Sequence, residues 1–291
     1  MIVDCHTQIW DPSLQVGAAA APLVRSATPA DASRHLEALD PVDRAIVLAF
    51  KSRYLEAEIP NQFVADYVRR NSTKMVGFAG IDPTERDWME ELRIAQEELQ
   101  LKGVTVSPAL QDYHPTDTRA MRVYEECARR GMPVMFQLNH RSPAAKMEYA
   151  RPLLLDEVAR EFPELRIVIS HLGYPWIEET IVLLGKHQNI YTDIAGLHRQ
   201  QWLAYTGLLA AHEYDVIDKL LFGSDYPHRA PAECIEALYS INQLSSGTNL
   251  QTIPREQLRG IVERDTLNLL GIERRPIAAS KNNTGIFEND D

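Results

Sequence analysis

Eight short runs of apolar and β-branched residues recur along the 291-residue chain, and this repetition limits its fold more than any other feature. Each run is continuous rather than alternating, as is typical of strands buried on both faces of a sheet. Helical patterns fall between the runs, so the sequence predicts a single-domain α/β fold, a (β/α)8 TIM barrel. A doubly wound open sheet is the alternative, because periodicity alone does not show closure. The predicted strands cover residues 2–5, 45–50, 75–81, 103–107, 133–137, 166–171, 189–194 and 220–225.

The predicted helices carry start and stop signals of their own. Thr84, with Asp87 three residues later, is close to a capping box, and Gly131 followed by Pro133 is a stop signal. The predicted helices cover residues 29–39, 61–70, 84–101, 117–130, 149–161, 176–186, 200–218, 232–244 and 255–270.

The barrel is expected to occupy residues 1–272, followed by a short, polar, frayed C-terminal tail at residues 273–291. The long loop at residues 11–28, rich in Ala and Pro, follows the first strand. In a barrel it would therefore lie over the mouth formed by the strand ends.

The charge and the cysteine content limit the classes of binding partner and the cellular compartment that the sequence fits. The formal net charge is −11 and no basic tract occurs, which argues against nucleic acid and anionic membranes as partners. Cys5, Cys127 and Cys234 are odd in number and far apart, as expected for free thiols in a reducing compartment. We find no signal peptide and no apolar stretch long enough to span a bilayer, and we expect a cytoplasmic protein. A homodimer is a general expectation for barrels of this size.

Two segments place polar groups directly after apolar runs. LLFGSDYP, residues 220–227, ends an apolar run with Asp225 and Tyr226, and MIVDCHTQIW, residues 1–10, carries His6 and Gln8 on one strand face. In such barrels the catalytic residues lie at the C-terminal ends of the strands, and Asp225 is a carboxylate at such an end. The alternative for Asp225 is a helix N-cap.

Further polar groups end the other predicted strands. Two His, two Gln and two Asp at the ends of buried strands form the set that a reaction centre needs: a base for water and donors for an oxyanion. Each residue type also has a structural alternative. The histidines could be hydrogen-bonded core residues without a catalytic role, the glutamines could fill polar space at the strand ends, and the aspartates could cap helices. Besides His6 and Gln8, these groups are Thr105, Ser107, Gln137, Asn139, His171, Asp193 and Asp225.

The dipeptide His-Arg occurs three times, each time just beyond a predicted strand end. Its arginines are Arg141, Arg199 and Arg229. One interpretation is a cationic collar that holds a small anionic substrate at the mouth of an otherwise acidic protein. The other is three solvated surface pairs. Tyr226 is a weaker candidate for substrate binding.

Five motifs in order, DCHTQIWDP, GFAGIDP, KGVTVSP…DYHPTD, SHLGYP and LLFGSDYP, resemble the amidohydrolase-2 branch of the amidohydrolase superfamily. That branch includes aminocarboxymuconate semialdehyde decarboxylase, 2,6-dihydroxybenzoate-type decarboxylases, L-fuconolactonase and pyrone dicarboxylate lactonase. The resemblance implies a distorted TIM barrel with its site at the C-terminal mouth.

The chain departs from the family's usual metal-ligand set. Gln8 and Gln137 stand where histidines are usual, and Thr105 stands where Lys or His is frequent. The remaining ligands are His6, His171 and Asp225, and a neutral amide oxygen is a poorer zinc ligand than imidazole. We therefore expect no tightly bound cofactor, the alternative being one zinc or manganese ion at these three residues.

Three functions remain open on the sequence alone. The first is a hydrolase of a small carboxylated lactone, ester or amide, possibly metal-independent, with Asp225 as the water-activating base and His6 and His171 as catalytic partners. Substrate would contact Gln8, Gln137, Asn139, Thr105, Tyr226 and the three arginines. The second is a metal-assisted decarboxylase of a small aromatic or dienoic acid. The third is a barrel that has lost catalysis and binds a ligand.

Overall fold

The computed structural model describes residues 1–10, 32–138 and 141–273, in which eight parallel strands form a nearly closed TIM barrel with helices between them. The barrel strands are β1 Val3–Thr7, β2 Arg44–Leu48, β5 Met75–Gly80, β6 Gly103–Val106, β7 Val134–Phe136, β8 Ile167–Ile169, β9 Ile190–Asp193 and β10 Leu220–Leu221. A small antiparallel hairpin, β3 Phe50–Ser52 and β4 Ala57–Ile59, follows β2. The predicted alternation of strand and helix is thus confirmed.

The helices surround the sheet in chain order. They are α1 Ala32–Ala38, α2 Asn61–Arg70, α3 Trp88–Glu97, α4 Pro108–Gln111, α5 Thr118–Arg130, α6 Leu155–Glu161, α7 Ile177–Lys186, α8 Gln201–Glu213, α9 Pro231–Tyr239, α10 Arg255–Glu263 and α11 Thr266–Leu269. Within the described ranges, no helix has the length and apolar character needed to cross a membrane.

Closure occurs where the last strand meets the first. The Cys5 N–H donates to Phe222 O at 2.9 Å, and the Gln8 N–H donates to Tyr226 O at 3.0 Å. Each neighbouring strand pair is parallel, which places all the strand C-termini at one end of the barrel. The open-sheet alternative is therefore wrong.

Apolar side chains fill the inside of the barrel below that end. Cys5, Leu48, Phe78 and Met135 belong to one buried cluster, which Leu267 at the other end also joins. A larger buried cluster, which includes Val47 of β2 and Leu92 of α3, lies between the sheet and the surrounding helices. The three cysteines are buried and free, as predicted.

Several helix ends differ from the sequence prediction. Thr84 is not an N-cap, because α3 begins at Trp88 after Asp87, and the Thr84 hydroxyl donates to Asp82 Oδ1 at 2.8 Å. The predicted helix at 255–270 is two helices, with Asp265 capping the second. The helix predicted at 149–161 begins as two short 3-10 segments, Met147–Ala150 and Pro152–Leu154. The predicted loop at 11–28 and nearly all of the predicted tail lie outside the described residues.

Candidate active site

A cavity of about 330 Å³ opens at the C-terminal ends of the strands. Its walls carry imidazole, carboxylate, amide and guanidinium groups, so it combines possible acids, bases and anion-binding cations in one place. The lining residues are His6, Gln8, Gln137, Leu138, Arg141, His171, Tyr174, Ala195, Gly196, Leu197, Arg199, Gln200, Asp225 and His228.

Asp225 lies in a tight turn after β10, not at a helix N-cap, since α9 begins at Pro231. Its φ of 64° is in the left-handed region, which costs free energy for a residue with a side chain. Backbone hydrogen bonds fix this conformation: the Asp225 N–H donates to His6 O at 3.0 Å, and the His228 N–H donates to Asp225 O at 2.9 Å. The turn thus holds the carboxylate in the cavity wall beside β1.

His6 is buried and is oriented by a carboxylate from β9. Its Nδ1 donates to Asp193 Oδ2 at 2.9 Å, which leaves Nε2 available to the cavity. Burial disfavours the imidazolium, but the surrounding carboxylates, that of Asp193 foremost, raise the pKa of His6 above its ordinary value. Burial also opposes ionisation of Asp193, yet its contact with His6 lowers the pKa of Asp193. The contact therefore favours the charged form of each partner, the imidazolium of His6 and the carboxylate of Asp193.

His171 is oriented in a similar way by a backbone carbonyl. Its Nδ1 donates to Ala195 O at 2.8 Å, so Nε2 is the ring nitrogen left for other partners. The residue has a φ of 57°, and its backbone N–H donates to Asp193 Oδ1 at 2.9 Å. The rings of His6 and His171 lie 4.7 Å apart between centroids.

Asp225, His6 and His171 together could hold a divalent ion. One possible ligand atom from each residue lies within 4.8 Å of the others. Two imidazoles and one carboxylate are a donor set that catalytic zinc uses, with a fourth position open. Both imidazoles also make the supporting hydrogen bond at Nδ1 that metal-binding histidines make. By donor type and orientation, the three residues fit such an ion.

Two arginines line the cavity in different settings. Arg199 Nη2 donates to Asp225 Oδ2 at 2.6 Å. The guanidinium carbon of Arg141 lies 5.1 Å from the ring centroid of Tyr174, and its hydrogen bond lowers the pKa of the Tyr174 hydroxyl. No ion pair joins Arg141 to a carboxylate within residues 1–10, 32–138 and 141–273, so its positive charge is available to an anion.

The other predicted site residues are distributed unevenly around the cavity. Gln8 and Gln137 line it. Thr105 pairs in register with Met135 of the barrel interior, one layer deeper than Gln137. Asn139 lies outside the described residues.

Two more predicted residues lie off the lining, as far as the structure describes the chain. Arg229 forms an ion pair with Glu233, with Nε and Oε2 3.6 Å apart. Tyr226 is buried and packs on the ring of His35 at 4.7 Å.

Sequence reasoning did not select three polar residues of the lining, Tyr174, Gln200 and His228. His228 and Gln200 are sequence neighbours of Arg229 and Arg199, and Tyr174 belongs to the SHLGYP motif. All three residues therefore lie in segments that the sequence analysis assigns to the site. Burial lowers the pKa of His228, which favours the neutral imidazole at neutral pH.

The profile of the amidohydrolase family matches residues 3–262, a range that includes every residue of the cavity lining. The chain belongs to the amidohydrolase family. The family resemblance seen in the sequence motifs is thereby confirmed. Among functionally curated proteins, no match is found.

Solved structures share the fold of this amidohydrolase. An uncharacterised TIM-barrel protein from Bordetella bronchiseptica is 19% identical, with a TM-score of 0.73 over 93% of this chain and 98% of that one. A probable 2-pyrone-4,6-dicarboxylic acid hydrolase from Acinetobacter baumannii, with citric acid bound, is 16% identical, with a TM-score of 0.69 over 93% and 99%. A dihydroxybenzoic acid decarboxylase from Polaromonas sp. JS666, with bound manganese and the inhibitor 2-nitroresorcinol, is 16% identical, with a TM-score of 0.66 over 94% and 98%.

Proposed function

We propose that this amidohydrolase hydrolyses a small carboxylated lactone, ester or amide, with Asp225 as the base that takes a proton from water. One observation carries the proposal: the Asp225 carboxylate lies beside the imidazoles of His6 and His171 in the cavity, with Arg141 on the wall. This arrangement supplies a base, an electrophile and an anion-binding cation. A structural neighbour named as a probable pyrone dicarboxylic acid hydrolase supports the same reaction class by analogy.

In the first step, the oxygen of water attacks the substrate carbonyl carbon while one of its protons passes to the Asp225 carboxylate. Negative charge develops on the carbonyl oxygen. The His6 imidazolium, whose pKa is raised by Asp193, can donate its Nε2–H to that oxygen.

In the second step, the bond between the carbonyl carbon and the leaving oxygen or nitrogen breaks, and the leaving atom receives the proton from Asp225. The products are a carboxylic acid and an alcohol or amine, and Asp225 is again a carboxylate. The amides of Gln8 and Gln137 line the same cavity and would bind the substrate in this proposal.

Binding of an anionic substrate falls to the cavity arginines in this proposal. Arg141 is the principal candidate for a distal carboxylate, because it forms no ion pair with another described residue of the chain. A bidentate contact between guanidinium and carboxylate would also orient the substrate.

His6, His171 and Asp225 would hold a divalent ion, which when bound would polarise the substrate carbonyl as a Lewis acid. We propose that such an ion is bound weakly and that hydrolysis does not require it. Gln8 and Gln137 offer neutral amides where imidazoles would strengthen the site. We expect purified protein to carry substoichiometric zinc or manganese and to remain active after chelation.

Turnover of a panel of carboxylated lactones, esters and amides, followed by acid release, tests the hydrolase. Asp225→Asn should lower the turnover of an accepted substrate by about 10²–10⁴-fold while the protein stays folded. Asp40→Asn, at an exposed carboxylate off the cavity lining, is the matched control and should change nothing. Unchanged activity in Asp225→Asn would contradict the proposed base.

A metal-assisted decarboxylase of a small aromatic or dienoic acid is the second candidate. The three-residue donor set favours it, and a structural neighbour named as a dihydroxybenzoic acid decarboxylase holds manganese. Release of CO2 without uptake of oxygen from labelled water would identify this reaction. Absence of turnover with both substrate panels would instead favour a barrel that binds a ligand without catalysis.

A further inference from the structure

The guanidinium of Arg199 already lies at one of the three possible metal ligands. Its Nη2 is 2.6 Å from Asp225 Oδ2, and the short 3-10 helix Leu197–Arg199 brings the side chain to the cavity from the loop after β9. The Arg199 side chain is 37% exposed and that of Asp225 is 15% exposed, so the pair lies at the rim rather than in the core.

We propose that Arg199 is the residue that sets the metal affinity of this site. Its guanidinium forms an ion pair with Asp225 and so competes with a divalent ion for that carboxylate. An ion bound by Oδ2 would share this oxygen with the guanidinium, and two positive charges would face each other across one atom. An ion bound by Oδ1 would still share the single negative charge of the carboxylate with Arg199, so the ion pair lowers the affinity for the ion at either oxygen.

Among the described residues, no arginine or lysine forms a hydrogen bond with either imidazole. Nδ1 of His6 is engaged by Asp193 and Nδ1 of His171 by Ala195 O, which leaves both Nε2 atoms available. The donor set is therefore oriented at the two histidines, while the carboxylate of Asp225 is shared with a cation. This arrangement assigns the weak binding to one ion pair, in addition to the glutamines.

Arg141 provides an internal control for the effect of charge alone. It lines the same cavity and carries the same charge, but it lies over the Tyr174 ring and does not contact Asp225. If a general positive field weakened metal binding, both arginines would contribute. If direct competition at Asp225 does so, Arg199 alone matters.

The experiment is a titration of the metal-stripped full-length protein with zinc alone and with manganese alone, by calorimetry and by competition with a chromophoric chelator. Arg199→Gln should bind each metal about 10- to 100-fold more tightly than the unmodified protein, a change equal in size and opposite in sign to the loss that follows removal of a supporting partner of a metal ligand. Arg141→Gln should bind with unchanged affinity. Asp225→Asn added to Arg199→Gln should abolish the gain.

Equal affinity in Arg199→Gln and the unmodified protein would overturn the inference, as would an equal gain in Arg141→Gln. Tight, stoichiometric metal in the unmodified protein would also overturn it. If Arg199→Gln does not fold by thermal melting, Arg199→Met and Arg199→Lys replace it, with a gain expected for Met and little change for Lys. The inference explains the weak metal binding of the proposed function, but it is measured by binding and not turnover, so each can fail without the other.

Discussion

His6 Nδ1 lies 2.9 Å from Asp193 Oδ2, and both side chains are buried below the cavity. Asp193 is not on the described part of the cavity lining, but by binding Nδ1 of His6 it leaves Nε2 for the cavity. Its other oxygen accepts hydrogen bonds from the backbone N–H groups of His171 and Ala195 at 2.9 and 3.0 Å. One buried carboxylate therefore positions both His6 and His171.

Asp193→Asn should test this positioning role. The amide cannot stabilise an imidazolium as the carboxylate does, so the pKa of His6 should fall and activity should decrease at least about tenfold. If the imidazolium donates to the oxyanion, activity is lost as pH rises through the His6 pKa. That loss should move to lower pH in the variant, as read from kcat/KM against pH.

Asp156→Asn is the matched control for that experiment. Asp156 Oδ1 accepts a hydrogen bond from His187 Nε2 at 2.7 Å, in a second His–Asp pair away from the cavity lining. Its pH profile should follow that of the unmodified protein. If kcat/KM of Asp193→Asn is lost at the same alkaline pH as in the unmodified protein, His6 does not act as an imidazolium.

Arg141→Ala should raise KM by an amount worth roughly 1.5–3 kcal/mol, the scale of a hydrogen bond to a charged group, if the substrate is anionic. Arg229→Ala should leave KM unchanged, because Arg229 is off the described lining and contacts Glu233. Steady-state kinetics of both variants on one carboxylated substrate makes the comparison. An equal increase in KM in both variants would indicate that the arginines act through the general electrostatic field and not through a direct contact with the substrate.

Local patterns in the sequence predict the barrel well, since buried parallel strands read as continuous apolar runs. They also predict which residues end those strands, and His6, Gln8, Gln137, His171 and Asp225 all line the cavity. The pattern of the last predicted helix does not reveal its break at Asp265. There the side chain of Arg264 turns to the backbone and donates to Leu220 O at 3.0 Å.

Long-range contacts account for the parts that sequence patterns missed. His6 and Asp193 are 187 residues apart, and no local signal indicates that one orients the other. A register irregularity of β1 between Asp4 and Thr7 likewise changes where side chains after it point, and strand periodicity does not show it. Thr105 lies near a strand end in the sequence, but it pairs in register with Met135, one layer deeper than Gln137.

Gly196→Ala should damage the site without disturbing the barrel. Gly196 has a φ of 72°, and a Cβ there would lie 3.2 Å from Asp225 Oδ2 and 3.4 Å from His171 Nδ1. The added methyl group would strain the turn and press on two site residues at once. We expect at least about tenfold lower kcat/KM with a small change in melting temperature.

Gly247→Ala is the control for backbone strain alone. Gly247 also has a φ of 72°, but no other part of the described chain lies within 4 Å of its added Cβ. It should lose some stability and keep its activity. Equal activity in the two variants would show that close approach of Gly196 to the site is not needed.

Asp4→Asn should change the pH dependence of stability. Asp4 Oδ1 accepts hydrogen bonds from the backbone N–H groups of Ser224 and His6 at 2.9 and 3.2 Å, so it ties β1 to the turn that holds Asp225. Burial raises the pKa of Asp4 from 3.8 to about 6, which means that the folded protein binds this proton more tightly than the unfolded chain. The resulting stabilisation is fully present below the unfolded pKa and is lost as pH rises through about 6.

Asn at position 4 keeps an oxygen acceptor but has no such titration. The free energy of unfolding of the unmodified protein, minus that of Asp4→Asn, should therefore fall by roughly 1–2 kcal/mol between about pH 5 and about pH 7.5. Urea denaturation at several pH values measures this difference, and Asp40→Asn, at an exposed carboxylate, should show almost none. A difference that does not vary with pH would mean that Asp4 keeps an ordinary pKa despite its burial.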